Sequence, residues 1–318
     1  MARDIFAEIG DFQLERGGVL KSDTVCGRLY GPQGAPVIVV LGGISATRFV
    51  ADSEDGKAAG WWSNLVRDGG PIGTKRVQVL GYDFAPNVDS DCRPGTITTN
   101  DQAARLFALL KHMGIGRVDA IIGSSYGGMT ALAFAQNYPD AVERLCIIGA
   151  SHRPYPIGVA WRGIQRRIVR LGIKAGAPKD GMKLARELAM TTYRTAAEFG
   201  DRFSLEEVES EPSVFDICTY LGSRGDVFAR QMDADRFLAM SESIDLHRIS
   251  PEAISTPTLL ISAISDQLAP LPDMRELRDR LAGKAELFTM TSLFGHDAFL
   301  KEYDAMTPRL EAFIKDVL

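Results

Sequence analysis

The heptapeptide Gly123-Ser124-Ser125-Tyr126-Gly127-Gly128-Met129 constrains what this 318-residue chain can fold into more than any other feature. It fits the pattern G-x-S-x-G centred on Ser125. Upstream, Val118-Asp119-Ala120-Ile121-Ile122 reads as a short buried strand, and downstream Met129 to Ala135 reads as an apolar helix. A strand that enters a sharp turn and leaves as a helix pushes the central hydroxyl clear of the backbone. It also aims the helix N-terminus at any negative charge that develops beside that hydroxyl. Side chains at 123 and 127 would collide with so tight a turn, which accounts for glycine at both places. The plain alternative is a glycine-rich turn without chemistry; the apolar strand and helix on either side favour a reactive serine.

Strand and helix alternate around this turn. Phe12-Leu14 and Val25-Leu29 suggest an antiparallel hairpin joined near Gly17-Gly18. Pro36 to Leu41 is a continuous apolar run, as in a strand buried on both faces, and Val77 to Tyr82 is another. Asp101 to Met113 has helical spacing, and Leu145 to Gly149 follows the serine turn as a further strand. The pattern then changes. From His152 to Ser250 there are helical segments (Val159–Leu171, Gly181–Thr192, Ala234–Ile244) and no convincing buried strand. Alternation resumes with strands at Thr258–Ser262 and Glu286–Phe288, a helix at Met274–Leu281, and a terminal helix from Ala298. The expectation is an α/β core, residues 1–150 and 251–318, with a mostly parallel sheet flanked by helices. Residues 151–250 form an inserted helical lid.

Composition excludes several classes. The net charge of −5 gives no case for nucleic acid or an anionic membrane surface. No run approaches the roughly 18–20 apolar residues that cross a bilayer. Four cysteines (Cys26, Cys92, Cys146, Cys218) lie far apart without C-x-x-C spacing, and Cys146 sits in an apolar run as a core residue. With no apolar signal core near Met1, a reduced cytoplasmic protein with no metal site is the simplest expectation.

A serine hydroxyl needs a base, and the base needs an orienting acid. In α/β-hydrolases, which this arrangement resembles, the chain order is Ser, then Asp or Glu, then His. Of four histidines, His112 precedes the serine on a charged helix, His152 has no acid placed for it, and His247 reads as a local contact of Asp245. His296, in Phe294-Gly295-His296-Asp297 after the last predicted strand, is the candidate base. Asp266, in the loop after the preceding strand, is the candidate acid; capping the helix that begins near Pro272 is its alternative role. Two backbone N–H groups are expected to hold an oxyanion, one from Tyr126 and one from the Gly42-Gly43 loop.

Further motifs narrow the resemblance. Gly60-Trp61-Trp62, Thr96 to Ala103, the turn extended to Gly127-Gly128-Met129, Leu184 to Arg194, Arg230 to Asp245, and Gly295 to Leu300 all resemble the homoserine O-acyltransferases, a branch of the α/β-hydrolase fold. The likeness runs from Val37 to the C-terminus. It implies a ping-pong transfer from acyl-CoA, as co-substrate, to L-homoserine, with no tightly bound cofactor, and a homodimer joined through lid helices. It also implies that Arg186 and Tyr193 hold the carboxylate of the amino acid and Asp297 its ammonium.

The chain departs from the family's usual pattern at Leu41 to Ala46, where His-Ala-Leu-Thr is more common, at Tyr126, and in a shorter loop from Pro86 to Pro94. These departures resemble enzymes that use succinyl-CoA rather than acetyl-CoA. The extra carboxylate of such a donor needs a cation, for which Arg48 is the candidate. The implied reaction is homoserine O-succinyl transfer in methionine biosynthesis. Homoserine O-acetyl transfer, serine as acceptor, a serine esterase on the same fold, and a binding module without chemistry are the alternatives.

Overall fold

Aliphatic strands buried on both faces form the middle of the molecule. The computed structural model describes residues 2–53, 55–86, 95–208 and 211–318. Strands β1 (Arg3–Gln13) and β2 (Val19–Tyr30) form the expected antiparallel hairpin. It is longer than the sequence reading has it, because β1 is exposed over most of its length and charged residues are interspersed among its apolar ones. There follow β3 (Val37–Leu41), β4 (Gln78–Tyr82), helix α1 (Thr99–His112), β5 (Ala120–Ser124), α2 (Tyr126–Asn137) and β6 (Leu145–Ile148). After a long excursion the chain returns as β9 (Thr258–Ala263), α8 (Leu271–Arg280), β10 (Ala285–Met290) and α9 (Tyr303–Lys315). The eight-stranded sheet has the order β1-β2-β4-β3-β5-β6-β9-β10, antiparallel at β1–β2 and β2–β4 and parallel elsewhere.

The Thr96 to Ala103 motif has a local reason. Thr98 caps α1 by accepting the Asp101 N–H, and the Asp101 carboxylate accepts the Thr98 N–H in return. One face of the sheet is covered by α1, α2 and α8, with Leu106, Leu109, Phe134 and Leu277 fully buried. The other is covered by α9 and the segment that carries Trp62 and Leu65. Each such aliphatic side chain contributes about 1.5–3 kcal/mol by leaving water.

The excursion between β6 and β9 comprises α3 (Pro156–Lys174), α4 (Pro178–Tyr193), α5 (Ala196–Arg202), the strands β7 (Glu207–Val208) and β8 (Glu211–Phe215), α6 (Asp216–Gln231) and α7 (Ala234–Leu246). It leaves from the C-terminal end of β6, the edge of the sheet where β5 delivers Ser125. Its own small core is Val169, Met182, Ala185, Phe228, Met232 and Phe237. Sequence reading expects three of its five described helices. It misses the short α5, and also α6, whose apolar stripe is interrupted by Gly222 and Gly225, and it misses the β7–β8 pair, which lies apart from the main sheet. The terminal helix also differs. A 3-10 turn spans Gly295–Leu300, the helical conformation is interrupted at Lys301-Glu302, and α9 begins at Tyr303. The loop from Pro86 to Pro94, with Cys92, lies outside the described residues beyond Pro86. Cys146 is fully buried, and burial pushes its thiol far up. No described helix is long and apolar enough to cross a membrane.

Candidate active site

Ser125 sits between β5 and α2 with φ 53° and ψ −122°, a left-handed conformation that costs a non-glycine residue about 1–3 kcal/mol. Backbone bonds on both sides hold it there. The Ser125 N–H donates to the Ile148 carbonyl at 2.9 Å, and the Gly127 N–H donates to the Gly42 carbonyl at 2.8 Å. The glycines of the turn are dictated by close approach. A Cβ at Gly123 would lie 2.4 Å from the Gly127 oxygen, and one at Gly127 would lie 2.4 Å from the Leu41 oxygen.

The fold brings three distant side chains into one hydrogen-bonded chain. Ser125 Oγ lies 2.8 Å from His296 Nε2, and His296 Nδ1 lies 2.8 Å from Asp266 Oδ2. Asp266 is 4% exposed, and its other oxygen accepts the N–H groups of Leu268 and Ala269 at 2.8 and 3.0 Å. Its alternative role as cap of α8 is not what the structure shows, because Pro270 holds that position. Burial pulls the His296 pKa down, but Asp266 and then Asp297 outweigh it. The net shift is upward from the ordinary imidazole value, with Arg162 opposing it. The arrangement can move a proton from Ser125 to His296 while Asp266 steadies the resulting imidazolium.

These groups open into a cavity lined by Gly43, Ile44, Ser45, Ser125, Tyr126 and Met129 on the core side, with residues of α3 and α4 opposite. Tyr126 is the first residue of α2, so its N–H has no acceptor within the helix and points from the helix end. Its phenol is held away from the chemistry, 2.7 Å from Ser243 Oγ and edge-on to Phe84. Gly43 lines the cavity; Gly42 does not, and serves the scaffold instead. Its carbonyl holds Gly127, and a Cβ on it would lie 2.5 Å from Ala46 Cβ and 2.9 Å from the Trp61 ring. The Gly-Trp-Trp motif braces this region. Trp61 Nε1 donates to Thr47 O, and the buried Trp62 Nε1 donates to Phe299 O in the turn that carries His296.

Arg186, Tyr193 and Asp297 all line the cavity. The Arg186 guanidinium stacks on the rings of Phe228 and Tyr193, 4.9 and 5.3 Å away, and has no carboxylate partner among the described residues. Arg48 is elsewhere. It pairs with Asp83 at 2.5 Å and Asp4 at 3.2 Å and stacks on Phe49, so it stitches the loop after β3 to β1 and to the end of β4, and it is not among the cavity residues.

The second cation in the cavity is Arg162 on α3, which sequence reasoning misses. Its Nε is anchored to Asp245 Oδ1 at 2.6 Å, and its terminal nitrogens lie beside Gly158, another cavity residue. In the sequence it is one of four arginines within nine residues of α3, and the other three lie outside the cavity, so spacing alone cannot single it out. Two histidines also differ from expectation. His247 does not pair with Asp245; it is fully buried between Thr99 Oγ1 and Ser151 O, and burial lowers its pKa to about 3. His152 contacts Glu276 and Arg280 away from the cavity. His112 is exposed at the end of α1.

Comparison with known proteins identifies the fold and the family. A family model described as the alpha/beta hydrolase fold matches residues 36–303. A homoserine O-succinyltransferase from Xanthomonas campestris pv. campestris is 38% identical over 91% of this chain and 77% of its own length. A serine O-succinyltransferase from Litchfieldella anticariensis is 28% identical over 96% of each chain. The crystal structure of homoserine O-acetyltransferase from Bacillus anthracis superposes with a TM-score of 0.88 at 20% identity, covering 99% of this chain and 97% of that one, a likeness of fold. The chain belongs to the homoserine O-acyltransferase family of the α/β-hydrolase fold.

Proposed function

We propose that this protein is an acyl-CoA:L-homoserine O-acyltransferase that uses succinyl-CoA and works through an acyl-serine. The observation that carries the reading is the Ser125–His296–Asp266 chain opening onto a cavity with two arginines at fixed places, Arg186 and Arg162. One carboxylate asks for one guanidinium fork. A succinyl donor and an amino-acid acceptor bring two carboxylates, and an acetyl donor brings only one.

In the first half-reaction His296 takes the Ser125 proton as Oγ attacks the thioester carbon. The oxyanion rests on the N–H groups of Tyr126 and of the Gly43–Ile44 backbone. The C–S bond breaks, and CoA leaves as the thiol with the proton from His296. Arg162 holds the distal carboxylate of the acyl group. In the second half the homoserine carboxylate binds Arg186 and Tyr193 and its ammonium binds Asp297. His296 removes the hydroxyl proton as the hydroxyl oxygen attacks the acyl carbon; the new ester bond forms, the bond from the acyl carbon to Ser125 Oγ breaks, and Oγ recovers the proton from His296. The helical segment over the cavity excludes water, which would otherwise hydrolyse the acyl-enzyme.

A cytoplasmic place in amino-acid biosynthesis and a homodimer through the lid helices belong to the same reading. For the dimer, α3 exposes Ile157, Ile164 and Leu171 at seven-residue spacing, one apolar stripe on its outer face. The test of function is a competition: L-homoserine with equimolar succinyl-CoA and acetyl-CoA, products read by mass spectrometry. O-succinylhomoserine in excess is expected. Free acids without either ester would make the protein a hydrolase, and O-acetylhomoserine in excess would remove the donor assignment.

A further inference from the structure

The last residue of α4 and the two that join it to α5 grip the turn that carries His296. The Tyr193 carbonyl backs Gly295 so closely that a Cβ there would lie 2.6 Å from it, and Gly295 has φ +54°. Thr195 Oγ1 donates to the Leu293 carbonyl at 2.6 Å. Arg194 stacks on Phe294 and gives its Nε to Asp297 Oδ2 at 2.7 Å. Behind Arg194 stands Glu198, which accepts from Nη1 at 3.0 Å; the two residues are 8% and 6% exposed.

The charges of this group need an explanation. A carboxylate meant to bind an ammonium should not already be neutralised by a buried guanidinium. Arg194 and Asp297 alone sum to zero. Glu198 adds a second negative charge, so the buried trio carries −1, and an arriving ammonium brings it to neutral. Arg202 also approaches Glu198, at 3.4 Å, but its side chain is 43% exposed, and a pair with one solvated partner contributes little. Geometry works in the same direction. The planar guanidinium of Arg194 bridges the two carboxylates, Nε to Asp297 Oδ2 and Nη1 to Glu198 Oε1, so it anchors one oxygen of a residue that lines the cavity.

We propose that Arg194 and Glu198 are positioning residues that orient Asp297 and keep its surroundings net negative, so that the enzyme selects an acceptor bearing an α-ammonium group. The inference rests on the reading that Asp297 binds the acceptor ammonium. Neither residue touches substrate, and both act through Asp297. Because Arg194 directly follows Tyr193 and Glu198 lies in the first turn of α5, the acceptor would meet carboxylate and ammonium contacts set by one clamp.

The experiment measures KM for L-homoserine and for 4-hydroxybutanoate, which lacks the amine, with succinyl-CoA in excess. CoA release before acceptor addition is followed in parallel. Glu198→Gln should raise the homoserine KM by about tenfold or more, as loss of a buried charge partner does. It should leave the KM for the amine-free compound and the CoA burst within about twofold, a split that general loosening of the fold would not give. Arg194→Lys, which keeps the charge but loses the fork, should move the same ratio in the same direction and less far. Asp297→Asn is the control for the underlying reading. If it does not lower the preference for the amine, the ammonium assignment itself is wrong. If it does, while Glu198→Gln and Arg194→Lys change both acceptors or the CoA burst equally, the positioning role is wrong.

Discussion

The Gly127 N–H donates to the Gly42 carbonyl at 2.8 Å, which ties the turn that bears Ser125 to the loop that faces it across the cavity. The two backbones proposed to cradle the oxyanion are therefore one unit. A Cβ at Gly127 would meet the Leu41 oxygen at 2.4 Å, and that contact is backbone, with no flexible side chain to give way. Gly127→Ala should cost roughly 1–3 kcal/mol by overpacking. It should also lower kcat by an order of magnitude or more because the donors move. Thermal unfolding and steady-state rates on the same preparation measure both.

The pH dependence follows from His296. Its neutral form is the base, and its pKa is raised above the ordinary imidazole value by Asp266, against burial. Activity should therefore rise with pH through a midpoint above that value and fall away below it, where the imidazole is protonated. Asp266→Asn removes the stabilising charge, so the midpoint should move down in pH while kcat drops by roughly 10³–10⁴-fold through loss of tautomer control. A pH profile of kcat/KM for wild type and variant checks the sign and the size.

Donor choice tests Arg162. Arg162→Met keeps length and removes charge, and Asp245 still has Arg166 at 2.6 Å, so no buried carboxylate is stranded. A charge-assisted bond of about 1.5–3 kcal/mol corresponds to a fall of roughly 10- to 100-fold in the ratio of kcat/KM for succinyl-CoA over acetyl-CoA. An unchanged ratio would remove Arg162 from the donor site.

Arg48 supplies the opposite expectation. Its partners are Asp83 and Asp4 at the edge of the sheet. Arg48→Ala should leave the same donor ratio within about twofold and cost no more than about 1 kcal/mol of stability, as partly exposed pairs do. Parallel kinetic and unfolding measurements with Arg162→Met separate the two arginines.

Much of the fold was legible because its signals are local. The apolar runs at β3 and β5, the Thr98–Asp101 box and the glycines of the serine turn each report a geometric requirement that few other residues meet. The order Ser125, Asp266, His296 was legible because strands that alternate with helices deliver loops to one edge of the sheet. What was hidden depends on packing between distant segments. Arg162 differs from Arg166, Arg167 and Arg170 only in which way α3 turns against α7, and Arg48 looked close to the cavity only along the chain. Glu198 carries no signal in the sequence and Arg194 only closes the Leu184 to Arg194 motif; their contacts come into being when the turn at Gly295 is folded against them.

The central claim is that Ser125 carries an acyl group from a thioester to an amino acid. Intact-protein mass spectrometry tests it directly: the enzyme is mixed with succinyl-CoA, sampled, and chased with L-homoserine. A succinyl adduct mapped to Ser125 that is stable in buffer and disappears on the chase, with O-succinylhomoserine formed in equal amount, is the predicted result. No adduct, or an adduct that decays to free succinate at the same rate with and without homoserine, would contradict it.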